Sequence, residues 1–409
     1  MLKKITIVSI IIILLSLVLF TITKTSNEES LKEAQLFEDG PANYVSLLIN
    51  NVNRENAEFR VTPLVAARNM NYIMLAGYLA YIESGKELNA ERSSIAAAMV
   101  TANYIYGSEK KSSWITRIDR NYKIDKASLE FGQKIGQKVI AIAKKDNYLK
   151  TYNERGSRGK VAPRNDGYSW VTTGRDEPGL EPLWGSLIPL IGENKKCILP
   201  SPDLNEVENQ SKIMLENYND KNAFHSDVLF WLAGVATDTP SGQWMRILNN
   251  KLSSDKGRDL KEKFKIATLA AVSNYDVSIQ LWAEKYRHNL LRPESLWEKN
   301  GITLQLPRET PNHPSYPSGH SGFASATGEV IKHFYGNTEI SLSLPADLYS
   351  MAESRNWESV DQAIDEAGNS RVISAFHYPL DVTAGNKLGL CVANNVIVNF
   401  DKRVEEILS

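Results

Sequence analysis

Cations and imidazoles gather in three short segments of the C-terminal third of this 409-residue chain, with types and spacing that could hold a tetrahedral anion and move its protons. The first segment is Lys285-Tyr-Arg-His-Asn-Leu-Leu-Arg292-Pro293. On a helix, seven residues amount to about two turns, so Lys285 and Arg292 would project from one side. Pro293 disfavours helical geometry at the residue before it, which places Arg292 at the helix end. The second is His313-Pro-Ser-Tyr-Pro-Ser318-Gly319-His320-Ser321. Pro317 and Gly319 fix a tight turn, and Ser318 is suited to cap the helix that follows. First-turn backbone N–H groups then become an anion site once cations join them. His320 stands at that mouth, with an ordinary pKa near ~6.5 that suits acid–base work. The third is Ser370-Arg371-Val-Ile-Ser-Ala-Phe-His377-Tyr-Pro-Leu-Asp381. Pro379 suits the first turn of a new helix, so Arg371 ends one element and His377 begins the next. Asp381, four residues on, is placed to accept a proton from one imidazole nitrogen and fix the tautomer. Singly, these segments have ordinary readings: a solvated basic face, a helix cap with an incidental histidine, a satisfied histidine at a helix start. Together they supply cations, free N–H groups and two imidazoles in one region.

The elements that position them read as helices. From Pro63 to Tyr106 apolar residues recur at helical spacing (Leu64, Ala67, Met70, Met74, Tyr78, Tyr81), which predicts two amphipathic helices. Ala127 to Ala143 is another, and similar patterns run over Leu204 to Tyr218, Val228 to Val235, Leu260 to Leu291, Phe323 to His333 and Val382 to Val398. Asp146 to Lys195 is broken repeatedly by glycine and proline, and Glu298 to Ser318 is polar and proline-rich, so both read as long loops of functional character. There is no strand-like alternation of any length and no internal repeat. The expected fold class is all-α, packed as helical bundles, with long loops around the active site. One helical domain is expected over 45–405, with its chemistry in 255–400.

Composition narrows the partners. At 42% hydrophobic and 23% charged, the chain is able to bury a large core as one big domain or two. The net charge of −1 gives no basic field for nucleic acid or an anionic membrane surface, so an anion site must be a local cluster. The two cysteines, Cys197 and Cys391, leave a disulfide open, Cys391 reading as a packing residue in an apolar run. They exclude a thiolate-held structural zinc, which takes about four Cys or His ligands. At the N-terminus, Lys3 and Lys4 precede an apolar stretch from Ile5 to Ile22 and a polar exit, the pattern of an export signal. Residues 1–26 are read as a signal or a retained anchor, since ~20 apolar residues span a bilayer, and 27–44 as a polar tether. The body is expected outside the cytoplasm: periplasmic, extracellular or anchored to the outer face of the membrane. The sequence leaves the oligomeric state open.

The order Lys-x6-Arg-Pro, Pro-Ser-Gly-His, Ser-Arg-x5-His-x3-Asp resembles the three-part signature of the vanadium haloperoxidase / phosphatidic-acid phosphatase type 2 superfamily, and this chain is closest to its bacterial vanadium haloperoxidase-like members. The likeness extends to Asp276 and Trp282 before Lys285, to Pro63, Ala67 and Arg68, to Trp184 with Gly185, and to Gly242 with Trp244. It implies that Lys285, Arg292 and Arg371, with Ser318 and the Gly319 N–H, bind the oxygens of vanadate or phosphate. His377 would bond vanadium directly or attack phosphorus, and His320 would handle the proton of peroxide or of a leaving alcohol. Two functions follow. One is a vanadium-dependent haloperoxidase with vanadate as cofactor, oxidising bromide or iodide with hydrogen peroxide. The other is a periplasmic acid phosphatase that needs no cofactor and works through a phosphohistidine, acting on a phosphomonoester. The first is favoured by the long helical sequence before the motifs, by Trp282 three residues before Lys285, and by His313, where bromoperoxidases of the family carry His and chloroperoxidases an aromatic. In either case the partners are small molecules, with the membrane involved only through the N-terminal segment. A reporter fused after Ser409 is expected to be active outside the cytoplasm, because Lys3 and Lys4 hold the N-terminus inside; activity confined to the cytoplasm would overturn the export reading.

Overall fold

The computed structural model describes residues 43–107, 124–153, 164–172, 179–192, 197–218, 225–234, 237–342 and 354–409. The apolar N-terminal segment and all but the last two residues of the tether lie outside the described residues. Asn43 and Tyr44 already belong to the first helix among the described residues, α1 (Asn43–Glu58). It is followed by α2 (Pro63–Glu83), α3 (Ala90–Tyr106), α4 (Lys126–Ala143) and α5 (Tyr148–Asn153). A 3-10 turn at Trp184–Ser186 leads to α6 (Leu204–Asn217), α7 (Ser226–Phe230), α8 (Pro240–Ser254) and the long α9 (Leu260–His288). Then come α10 (Pro293–Lys299), α11 (Gly319–Tyr335), strands β1 (Ile340–Leu342) and β2 (Arg355–Trp357), α12 (Val360–Ile373) and α13 (Pro379–Leu408).

Starts are chemically marked. Thr62, Asp125, Thr239, Asp259, Ser318 and Ser359 each accept a first-turn backbone N–H, and proline follows Thr62 and Thr239 in the first turn. The α9 helix is buried along nearly its whole length, because it is packed by α2 on one side and by α11 and α13 on the other. It is therefore shared between an α2–α4 bundle and the bundle that carries the motifs. Among the described residues no helix is long and apolar enough to cross a membrane.

Several boundaries differ from the sequence reading. The α9 helix stops at His288, three residues short of the expected end, because Asn289 takes a left-handed conformation (φ 48°) and closes the helix on the Lys285 carbonyl. Leu290 then bridges to Ser169, and Arg292 is the extended residue before α10. Lys285 and Arg292 thus do not share one helix face. Of the Val228 to Val235 pattern, whose last residue lies outside the described residues, the part described carries the short α7. Helices α1, α8 and α12 and the antiparallel β1–β2 pair, with Ile340 opposite Trp357, were not marked by periodicity. Cys391 is not a free packing residue. It is bonded to Cys197 across 194 positions with a Cα separation of 5.7 Å.

A close helix contact sets the second motif. A Cβ on Gly385 of α13 would come within 2.4 Å of the Ser318 carbonyl oxygen, and one on Gly389 within 2.4 Å of the Gly322 carbonyl. These glycines let α13 approach the N-terminus of α11. Gly385→Ala gains about 1 kcal/mol of helix propensity but forces the backbones apart, a strain of ~1–3 kcal/mol. A lower unfolding midpoint with weakened oxyanion binding is expected; an unchanged midpoint and affinity would show slack in this contact.

Candidate oxyanion site

The last turn of α9 points Lys285 into the protein, where it is fully buried. Its ammonium donates to the carbonyls of Pro314 (3.0 Å), Ser315 (2.9 Å) and Pro317 (2.5 Å). All three protons are spent on the second motif, so in this geometry Lys285 ties that loop down and contributes charge. Arg292, fully buried as well, donates from Nε to the His313 carbonyl (2.9 Å) and from Nη1 to the Phe376 carbonyl (2.6 Å). Its Nη1 also lies 3.1 Å from His377 Nε2, and its Nη2 3.0 Å from His313 Nδ1. One guanidinium therefore joins all three motifs.

Arg292 also decides the protonation of His377. A guanidinium only donates, so His377 Nε2 must offer its lone pair, and the ring proton sits on Nδ1. That proton goes to Asp381 Oδ2 at 3.0 Å. The same oxygen accepts from Ser315 Oγ (2.5 Å) and from the Tyr378 N–H (3.1 Å). Burial pushes the Asp381 carboxyl up to about 6, against the pull of Ser315, Lys285, the Tyr378 N–H and Arg292. Burial, then Arg292 and Lys285, hold the His377 pKa well below the ordinary value, so the ring is neutral and its Nε2 is a donor to an electrophile.

Among the buried polar atoms without a hydrogen-bond partner are an Arg371 nitrogen, His320 Nε2 and Asp381 Oδ1. Arg371, in the last turn of α12 and 2% exposed, bonds Ser370 Oγ through Nε, while its Nη2 has no partner. Burial, and after it Arg308, pushes its pKa down to about 9. His320, at the second position of α11, has a buried Nε2 without a partner. Burial first, then Arg371 and Arg308, lowers its pKa well below the usual value, with the Trp231 backbone acting the other way. Ser318 Oγ accepts the Ser321 N–H (3.4 Å) and the Ser321 hydroxyl (2.9 Å). Gly319 places the first N–H groups of α11 beside Trp282, whose ring lies 3.6 Å from where its Cβ would be. The Trp282 ring in turn packs on His313, with centroids 4.9 Å apart.

Every site residue named from the sequence thus lies in one region, except that the Lys285 ammonium is occupied by carbonyls. Among the described residues none of Lys285, Arg292 and Arg371 forms an ion pair, and Asp381 is the carboxyl group buried with them. A buried excess of positive charge with open N–H donors suits an anion. Among the described residues no group of three or more His, Cys, Asp or Glu could hold a metal cation. An oxyanion of vanadium or phosphorus fits this donor set, since it needs hydrogen-bond donors and one lone pair. Sequence reading missed Ser315 and Arg308. Ser315 stood inside the second motif, two residues after His313, but Arg308 lay in the proline-rich loop with no pattern to mark it. The outlying residues do structural work. Asp276 accepts the Leu190 (2.7 Å) and Ile191 (3.0 Å) N–H groups, Trp184 donates to Ser278 (2.9 Å), and Arg68 pairs with Asp146 (2.7 Å).

The fold is an all-α, haloperoxidase-like helical bundle, and it holds a buried cluster of cations. Residues 297–406 match the family model described as the VCPO second helical-bundle domain. The structure is similar to that of the first bacterial vanadium-dependent iodoperoxidase, with a TM-score of 0.72 at 22% identity over 88% of this chain and 96% of that one. It is also similar to a holo-type bacterial vanadium-dependent chloroperoxidase, with a TM-score of 0.63 at 12% identity over 84% and 94%. The apo-type structure of such a chloroperoxidase gives 0.63 at 12% identity over 82% and 93%. No curated protein matches the chain.

His377→Ala is expected to abolish orthovanadate binding in calorimetry while leaving the fold intact. Asp381→Asn should weaken it by on the order of ten- to a hundred-fold through lost orientation of the imidazole. Arg371→Ala should cost ~2–5 kcal/mol. Wild-type affinity in His377→Ala would remove the site assignment.

Proposed function

We propose that this chain is an exported vanadate-dependent haloperoxidase that oxidises iodide or bromide with hydrogen peroxide. The observation that carries the reading is the buried His377 Nε2 lone pair set among cations that lack carboxylate partners. The fold shared with vanadium-dependent iodo- and chloroperoxidases over more than four-fifths of the chain supports it. So do Trp282 and His313, which pack together beside Gly319. The Cys197–Cys391 disulfide suits an oxidising compartment and supports export.

In this reading His377 Nε2 would hold vanadate, and Arg292, Arg371, Ser318 and the Gly319 N–H would bind its oxygens, with Lys285 adding charge. When bound, vanadate supplies a Lewis acid that activates hydrogen peroxide without a change of oxidation state. Arg292 keeps its bonds to the His313 and Phe376 carbonyls when it releases Nε2, so it stays in place. Asp381 and Ser315 hold the His377 ring against rotation. His320, neutral and with Nε2 free, is the group that accepts a proton from incoming peroxide. Overall, one peroxide oxygen passes to halide as hypohalous acid and the other leaves as water, with one proton consumed.

Purified protein dialysed with orthovanadate is expected to oxidise bromide or iodide, and phosphate should compete with vanadate. Hydrolysis of phosphomonoesters that vanadate merely inhibits, with no halide oxidation at any pH, would overturn the reading in favour of a phosphatase.

A further inference from the structure

The net charge of −1 conceals an uneven distribution. From Lys110 to Lys160 the chain carries 14 Lys and Arg against 5 Asp and Glu, and from Phe131 to Asn153 its acidic residue is Asp146 alone. Asp146 is buried and paired with Arg68 at 2.7 Å, so it offsets no charge at the surface. Around it Lys144, Lys145 and Lys150 are exposed, and among the described residues none of the three forms an ion pair. Lys144 reaches over the Tyr104 ring at 5.5 Å. Large apolar side chains stand exposed at the same place. Leu149 and Tyr152, three apart on α5 and so neighbours on one helix face, are 53% and 49% exposed. Ile188, 52% exposed, joins them from the segment after the 3-10 turn. Its N–H bonds the Asp146 carbonyl at 3.0 Å, and Asn147 Nδ2 donates to the Ser186 carbonyl at 3.1 Å. Single exposed hydrophobics are ordinary, but three held together among unpaired lysines mark a contact surface.

We propose that Lys144, Lys145 and Lys150, with Leu149, Tyr152 and Ile188, form a docking surface for an anionic lipid bilayer. The lysines meet the phosphate headgroups, and the apolar side chains enter the boundary beneath them, the combination by which peripheral surfaces hold a membrane. Nucleic acid would engage the lysines and leave Leu149 and Ile188 in water. The N-terminal sequence points to the same occupant. With the run from Ile5 to Ile22 as an anchor, residues 27–42 extend at most ~60 Å, which keeps the surface within reach of that bilayer. The inference is independent of the reaction at the oxyanion site.

The test uses full-length protein with vesicles of phosphatidylcholine alone or mixed with phosphatidylglycerol, and reads backbone hydrogen exchange over 144–152 and 186–189. The N-terminal run partitions into either vesicle, so protection of the patch is the readout, not capture of the protein. Anionic vesicles should slow exchange about tenfold or more, since each lysine favours the docked state about fivefold. High salt should remove much of the difference. Lys144→Gln, Lys145→Gln and Lys150→Gln together should return exchange to the phosphatidylcholine rate. Leu149→Ser with Ile188→Ser should also cut the protection, which a purely electrostatic contact would not show. All five side chains are exposed, so the unfolding midpoint should stay that of the wild type. Equal exchange in the two vesicles overturns the proposal. Protection that rises with protein concentration in the absence of lipid, as between two copies, or that added RNA produces more strongly than anionic vesicles, overturns the bilayer as occupant.

Discussion

Lys285, Arg292 and Arg371 are cations in the protein interior that form no ion pair among the described residues, with the Asp381 carboxyl group buried beside them. Taking a cation out of water without a counter-ion costs several kcal/mol even after relaxation. Its trace is visible in the groups themselves: burial lowers Arg292 to about 10 and Arg371 to about 9. What offsets this cost is a set of carbonyl oxygens from Pro311, His313, Pro314, Ser315, Pro317 and Phe376, all aimed inward at Lys285 and Arg292. Those carbonyls belong to loops, so the irregular segments between helices are as constrained as the helices. The bundle exists, in this view, to hold carbonyl dipoles around a positive interior.

A second buried arginine shows what the same residue does when it is paired. Arg68 of α2 meets Asp146 at 2.7 Å, donates to the Ala143 carbonyl, and lies over the Tyr148 ring, while Tyr72 and Tyr275 donate to the same carboxylate. Every charge there has a partner, and the cluster seals α2 to α9 and to the end of α4. Around Arg371 the count is left open by one nitrogen. Pairing makes a joint, and its absence leaves a donor unspent, although the residue type is the same.

Much of this was legible in the sequence because motif residues are short-range. Ser318 before Gly319, and Asp381 four residues after His377, define their contacts within one helical turn. The long helices followed from apolar spacing. What failed to show was set by distant contact. Asn289 ends α9 in a left-handed turn that periodicity through Leu291 overrode, so Arg292 reaches the site from a separate extended segment. The three protons of Lys285 go to carbonyls 29 to 32 positions away, which spacing on one helix could not reveal. Arg308 depends on a glycine in another loop, and Cys197 meets Cys391 only after the bundle closes.

That cross-link has a bearing on durability. The chain has two cysteines and both are consumed in the bond. A free thiol is the first side chain that peroxide converts, through sulfenic acid, to forms that are not readily restored. Four of the methionines, Met70, Met74, Met214 and Met245, are buried in the core, away from diffusing oxidant. A protein arranged in this way can sit in a stream of peroxide without offering it a thiol to burn.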